Sequence, residues 1–195
     1  TYKSWKSAVD HLDRIRKGDL VIDRELLLTV NKKVVGADRA IFKIINKVLP
    51  EKYWIKGGGI FRHADVVPTP DIITKEVQKK LEANEWLGSP GFIPLKNQPK
   101  GITGDRIAGY INYPDNREEA LRKLDNLNSW ANSELNKIRN AQEGAMDPID
   151  LASRYQYRLV SIHPFLDGNG RSTRLFMDRI LQEFDLPPPM FKEND

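Results

Sequence analysis

The chain has 195 residues, no cysteine, 39% hydrophobic and 30% charged residues, and 31 basic against 27 acidic side chains. That length suits one domain with a sizeable core, and the missing cysteines exclude disulfides, thiolate metal sites and cysteine nucleophiles. A net charge of +4 is spread without the long basic run that would point to nucleic acid, and no apolar stretch offers a membrane span.

In chain order, Trp5, Val9, Leu12 and Ile15 form one helical stripe, and Asp23 followed by Leu26, Leu27, Val30 and Val34 forms a second. Asp38 is placed to cap a third helix over 38–49, with Ile41, Ile44, Ile45 and Val48 inward and Pro50 as its stop. Three glycines, Gly57-Gly58-Gly59, precede Ile60-Phe61-Arg62-His63-Ala64-Asp65-Val66-Val67, and Pro68 and Pro70 close a segment that reads as an exposed hairpin. A short helix is expected over 71–81 and a short strand at Gly109-Tyr110-Ile111-Asn112-Tyr113. From about Asn116, Leu121, Leu124, Leu127, Trp130, Leu135 and Ile138 make the stripe of a long helix. Asp147-Pro148 opens the next, with proline in its tolerated first turn, and a last helix over 172–184 carries Leu175, Phe176, Ile180, Leu181 and Phe184. There are no internal repeats, and the balance is mainly α with one small hairpin.

The densest chemistry lies between the last two helices, at His163-Pro164-Phe165-Leu166-Asp167-Gly168-Asn169-Gly170-Arg171. Gly168 and Gly170 allow a backbone path and a closeness of approach that suit N–H groups cradling phosphate oxygens. The helix that follows aims free N–H groups and the positive end of its dipole at the same place. Arg171 and Arg174, three apart, share a helical face and can grip a di- or triphosphate as forked donors. Asp167 is a hard oxygen ligand of the kind that holds Mg²⁺ on a nucleotide, and His163 can take a proton from a hydroxyl. Singly, each feature has a bland explanation, a packed histidine or an ordinary turn; together they are the parts of a phosphoryl or nucleotidyl transfer site. A zinc site is disfavoured because Pro164 interrupts the helix and no second His or Cys cluster follows. Neither the P-loop pattern nor a dinucleotide fingerprint occurs: Gly57-Gly58-Gly59 runs into Ile-Phe-Arg.

These nine residues resemble the signature of the Fic family, His-x-Phe-x-Asp/Glu-Gly-Asn-Gly-Arg, at each defined position. Asp147-Pro148-Ile149, Gly59-Ile60-Phe61-Arg62 and Leu186-Pro187-Pro188 look like that family as well. The resemblance implies a Fic-type helical bundle with a β-hairpin flap, as a single domain over 1–195. Its core would be about 24–67 and 115–190, with an accessory helix at 1–20 and an insertion or arm at 71–114. It implies protein adenylyltransfer from ATP with Mg²⁺, releasing pyrophosphate. By that resemblance His163 is the base for a Ser, Thr or Tyr hydroxyl on a target protein, Phe165 anchors the loop and Asp167 holds the metal. Gly168, Asn169, Gly170 and Arg171 bind the α- and β-phosphates, and Arg174 meets the γ-phosphate. Gly59, Ile60, Phe61, Arg62 and His63 belong to a flap that holds the target by strand addition, His63 without a catalytic role.

Many Fic proteins are silenced by Ser/Thr-x-x-x-Glu-Gly/Asn. Here Glu143-Gly144 is preceded by Arg139, and Glu193-Asn194 by Pro189, so the motif has no match. Arg174 is then expected to be available, as in a toxin or translocated effector, or restrained by an antitoxin in trans. A small GTPase is the target suggested by resemblance to effectors. The alternatives are another donor on the same scaffold, UTP or a phosphocholine-bearing nucleotide, and a non-enzymatic interaction module. A start at Thr1 with no signal pattern and an end at Asp195 are expected of a soluble fragment of a longer protein, secreted into a host cell or cytoplasmic.

Overall fold

A computed structural model describes residues 2–35, 61, 71–74, 91–94, 107–112 and 117–189. Five helices and three short strands occupy them: α1 (Tyr2–Asp13), α2 (Arg24–Val35), β1 (Asp71–Thr74), β2 (Gly91–Pro94), β3 (Ile107–Asn112), α3 (Arg117–Arg139), α4 (Pro148–Ile162) and α5 (Asn169–Gln182). The mainly helical reading holds. The helix expected over 38–49 and the flap hairpin, apart from Phe61, lie outside the described residues.

Each helix forms where its apolar stripe and end signals agree. Asp23 caps α2, its Oδ1 accepting from Leu26 N at 2.8 Å, and Leu27, Val30, Val34 and Val35 are buried along one face. Asp147 caps α4 by accepting from Ile149 N, with Pro148 at the first position, where its missing N–H costs no helical bond. Helix α3 buries Ala120, Leu124, Leu127, Ala131 and Leu135, and Leu121, Trp130 and Ile138 pack half-buried beside them. Helix α5 begins at Asn169, three residues before the start expected from its apolar stripe, so Asn169, Gly170 and Arg171 make up its first turn.

The strands pair antiparallel in the order β1-β3-β2. Strand β3 (Ile107–Asn112) starts two residues before the strand expected at Gly109–Tyr113 and ends one residue short of it, and Asp71–Thr74 is strand and not the start of the expected helix. Ile72-Ile73-Thr74 are consecutive β-branched residues that fit a pleat better than a helical turn. Pro94 sits on β2 at the sheet's edge, the place where a strand can lack a donor.

The helices close over one hydrophobic cluster among the described residues, with α5 packed on α4, α4 on α3, and α1 and α2 covering α5 from the other side. Tyr155, fully buried, donates to Asn128 Oδ1 at 3.0 Å and meets Phe176 edge-on, and burial pushes its phenol well above the ordinary value. The Arg158 guanidinium lies 4.2 Å from the Trp130 ring centre, and burial, with the charge of Arg154, lowers its pKa to about 10.

Buried charge ties the chain's distant parts. Glu183, whose side chain is shut off from solvent, accepts from Arg139 Nη2 at 2.6 Å, Arg179 Nη1 at 2.8 Å and the Gly18 backbone N–H at 2.6 Å. Arg179 also donates to the Ile15 carbonyl and Arg139 to that of Leu20, so the turn after α1 is held to the ends of α3 and α5. No helix among the described residues is long and apolar enough to cross a membrane.

Candidate active site

The α4–α5 connection brings the signature residues to the start of α5. His163 ends α4 in the left-handed region, φ 51° and ψ 55°, its N–H shared between the Leu159 and Val160 carbonyls at 3.2 and 3.1 Å. A positive φ outside glycine is uncommon and marks a backbone fixed by its surroundings. Pro164 follows and cannot extend the helix, so the imidazole is displayed half-buried at the loop's entrance.

Phe165 is fully buried. It stacks on Phe61 with ring centres 5.8 Å apart and planes 9° from parallel, and the same two residues form an isolated antiparallel β-bridge. Phe61 is itself 8% exposed, so this member of the flap segment faces the loop and the core. Gly59, Ile60, Arg62 and His63 lie outside the described residues.

Asn169 closes the loop on itself. Its Oδ1 accepts from Phe165 N at 2.9 Å and its Nδ2 donates to Phe165 O at 2.8 Å. The Asn169 side chain is thus bonded to the loop, and the group that this residue has to offer an anion is its backbone N–H. Asp167 Oδ1 accepts from Gly168 N at 2.6 Å, and its Oδ2 lies 3.5 Å from Arg171 Nη2.

The two glycines serve different ends. Gly168 caps α5 at φ 77°, and a Cβ there would stand 2.4 Å from Val35 Cγ2 and 3.1 Å from Asn31 Nδ2. A Cβ on Gly170 would meet no atom of the described residues within 4 Å, so none of them fills the space before the first turn. Among the described residues no side chain caps α5, and the first intrahelical bond is Ser172 N to Gly168 O at 2.9 Å. The N–H groups of residues 169–171 have no carbonyl one turn back and face this space with the positive dipole end. Arg171 is half-buried beside it, and Arg174, one turn on, is exposed.

Asn31 and Ser172 escaped the sequence reading. Asn31, 2% exposed on α2, donates to the Asp167 carbonyl at 2.8 Å and to Ser172 Oγ at 3.1 Å. The signal for it was a polar residue one step from Val30 in an otherwise apolar stripe. Among the described residues no three His, Cys, Asp or Glu side chains converge as a metal cage. Asp167 alone fits Mg²⁺ only in the way nucleotide sites do, with phosphate oxygens completing the shell.

The Fic/DOC family model matches residues 71–181. The chain belongs to that family. It is 35% identical over 157 residues to a protein of Nematostella vectensis named protein adenylyltransferase Fic, covering 76% of this chain and 35% of that protein. A Drosophila mojavensis protein of the same name is 38% identical over 152 residues, covering 72% of this chain and 28% of that one. The Fic chain thus spans about a third of the length of these relatives. Its fold is shared by a Fic domain containing signaling protein from Bacteroides thetaiotaomicron, with a TM-score of 0.57 at 19% identity over 99% of this chain and 51% of that one.

Proposed function

We propose that this Fic chain transfers AMP from ATP to a Ser, Thr or Tyr hydroxyl of a target protein. The observation that carries the proposal is the N-terminus of α5, which no described side chain caps and no described residue covers at Gly170, with His163, Asp167 and Arg171 on the loop that leads into it. The relatives' shared name supports the same donor and reaction class.

His163 takes the hydroxyl proton, the oxygen bonds to the α-phosphorus, and the bond from that phosphorus to the bridging oxygen breaks to release pyrophosphate. Charge grows on the α-phosphate oxygens and the leaving group along this path. The α5 N–H groups and Arg171 are fixed donors and stabilise that charge more in the transition state than in bound ATP. Arg174 meets the γ-phosphate, which keeps the α-phosphate in register. Asp167 would hold Mg²⁺, which when bound neutralises phosphate charge. A flap strand from 59–63 would pair with the target's extended backbone and bring its hydroxyl within reach of His163. A small GTPase with an exposed switch-loop Thr or Tyr is the first target to try, and an antitoxin supplied in trans is the restraint to look for.

The test is incubation of the chain and its His163→Ala variant with Mg²⁺ and each nucleoside triphosphate in bacterial and eukaryotic lysates, followed by mass spectrometry. The expected result is a protein adduct of one AMP from ATP, reduced about 10²–10⁴-fold by the substitution. A UMP or phosphocholine adduct would reassign the donor. Nucleotide binding without an adduct in either lysate, or an adduct indifferent to His163→Ala, would sink the reading.

A further inference from the structure

The peptide linking Asp167 to Gly168 has two faces, and the fold uses both. Its carbonyl points inward and accepts from Asn31 Nδ2 of α2 at 2.8 Å. The peptide is planar and trans, so its N–H must point the opposite way, outward to the mouth of α5, where it meets Asp167 Oδ1. Rotation of this one plane would exchange the two groups and turn a carbonyl oxygen toward the space that the proposed reaction gives to phosphate. A carbonyl there repels an anion where an N–H binds it.

Two features select the observed orientation. Gly168 supplies the positive φ, 77°, that goes with an outward N–H, and rotating the plane changes that angle. Glycine alone does not decide, because it accepts either sign of φ nearly equally. The deciding group is a donor on the inner side, and Asn31 is that donor: it is 2% exposed, and its amide also reaches Ser172 Oγ, which is wholly buried. Val34 and Val35, the other α2 residues against Gly168, are apolar and cannot hold a carbonyl.

We propose that Asn31 is a positioning residue for the anion cradle: by holding the Asp167 carbonyl inward it keeps the N–H of this peptide, bonded to Asp167 Oδ1, and not its carbonyl oxygen, on the side of the α5 mouth. This rests on the nucleotide-transfer reading and adds to it a residue 136 positions away in sequence. Asn31 touches no reacting atom; it acts through the backbone.

Calorimetric titration of the full chain with MgATP tests it, with the Gly168 amide followed by ¹⁵N–¹H spectroscopy. In the wild-type chain the Gly168 resonance should shift on titration. Asn31→Ala should bind ATP about tenfold or more weakly, the scale on which one buried hydrogen-bonding group left unmet shows itself, and the Gly168 shift should be lost. Ser172→Ala removes a second partner of Asn31 without touching the Asp167 carbonyl, so it should bind within about twofold of wild type, well inside the cost of one hydrogen bond. Should Asn31→Ala fail to fold, Asn31→Leu keeps the volume, removes the donor without adding charge and is held to the same expectation.

Wild-type affinity in the folded Asn31 variant would overturn the proposal, as would equal weakening in Ser172→Ala, which would make the effect one of packing. ATP binding by the wild type without movement of the Gly168 amide would overturn it with no variant needed. Absence of ATP binding by the wild type would instead remove the nucleotide-transfer reading, and this inference with it.

Discussion

Gly168→Ala and Gly170→Ala separate folding from function within three residues of one loop. At Gly168 the added methyl faces two penalties. The left-handed backbone at φ 77° costs a non-glycine residue roughly 1–2 kcal/mol. The methyl would also stand 2.4 Å from Val35 Cγ2, on a helix whose neighbouring residues are buried and have nowhere to retreat. Overpacking of that kind costs roughly 1–3 kcal/mol, so the total is about 2–5 kcal/mol. At roughly 2–4 °C per kcal/mol for a chain of this size, the melting temperature should fall by about 4–20 °C. Gly170 has helical backbone and no described residue within 4 Å of an added Cβ, and alanine is the better helix former, so Gly170→Ala should melt at or slightly above wild type. The methyl nevertheless projects beside the uncapped N–H groups and should weaken ATP binding. The assay is differential scanning fluorimetry of both variants, with calorimetric ATP titration of Gly170→Ala. A Gly168→Ala protein melting within about 2 °C of wild type, below the cost of even one penalty, would refute the reasoning about the α2–loop contact.

Glu183→Ala leaves Arg139 and Arg179 without their shared carboxylate, and since the Glu183 side chain is fully buried the loss should be about 3–5 kcal/mol, read as a shift of the urea midpoint; a shift under about 1 kcal/mol would mean that solvent replaces the carboxylate. Asp178 lines a small cavity between α1 and α5 with Trp5, Val9 and Leu12, and burial raises its pKa above the ordinary 3.8, a rise that the charge of Arg174 opposes. Its stabilising contribution is therefore full below pH 3.8 and is lost as pH rises through the folded value. Asp178→Asn should melt higher than wild type at neutral pH, with the gap closing on acidification; a gap that is independent of pH would contradict this.

Sequence disclosed what is local. The long apolar stripes of α3 and α5 fixed those helices to within a few residues, because burial on one face at helical spacing has few other solutions. The loop was readable because its chemistry is contiguous from His163 to Arg171. The start of β1 was missed because four residues are too few for a period to declare itself. Asn31 could be suspected only as a polar residue in an apolar stripe, since its partners are 136 and 141 residues away. Asn169 shows the converse: the motif points to the residue, whereas the partner of its side chain, the Phe165 backbone, is visible only in the fold.

The tie between Glu183 and the turn after α1 bears on where this protein can be cut. The stretch shared with the family model runs from 71 to 181, whereas Ala8, Leu12, Leu20, Ile22, Leu27 and Val30 belong to the same core as α4 and α5. Glu183 lies just past the shared stretch and Gly18, its backbone donor, far before it. The stretch that the family model matches is thus shorter than the core to which it belongs. A truncation drawn at the family boundaries would strip α1 and α2 from α5, bare its apolar side and remove the Asn31 support of the loop. Expression trials should keep both flanks.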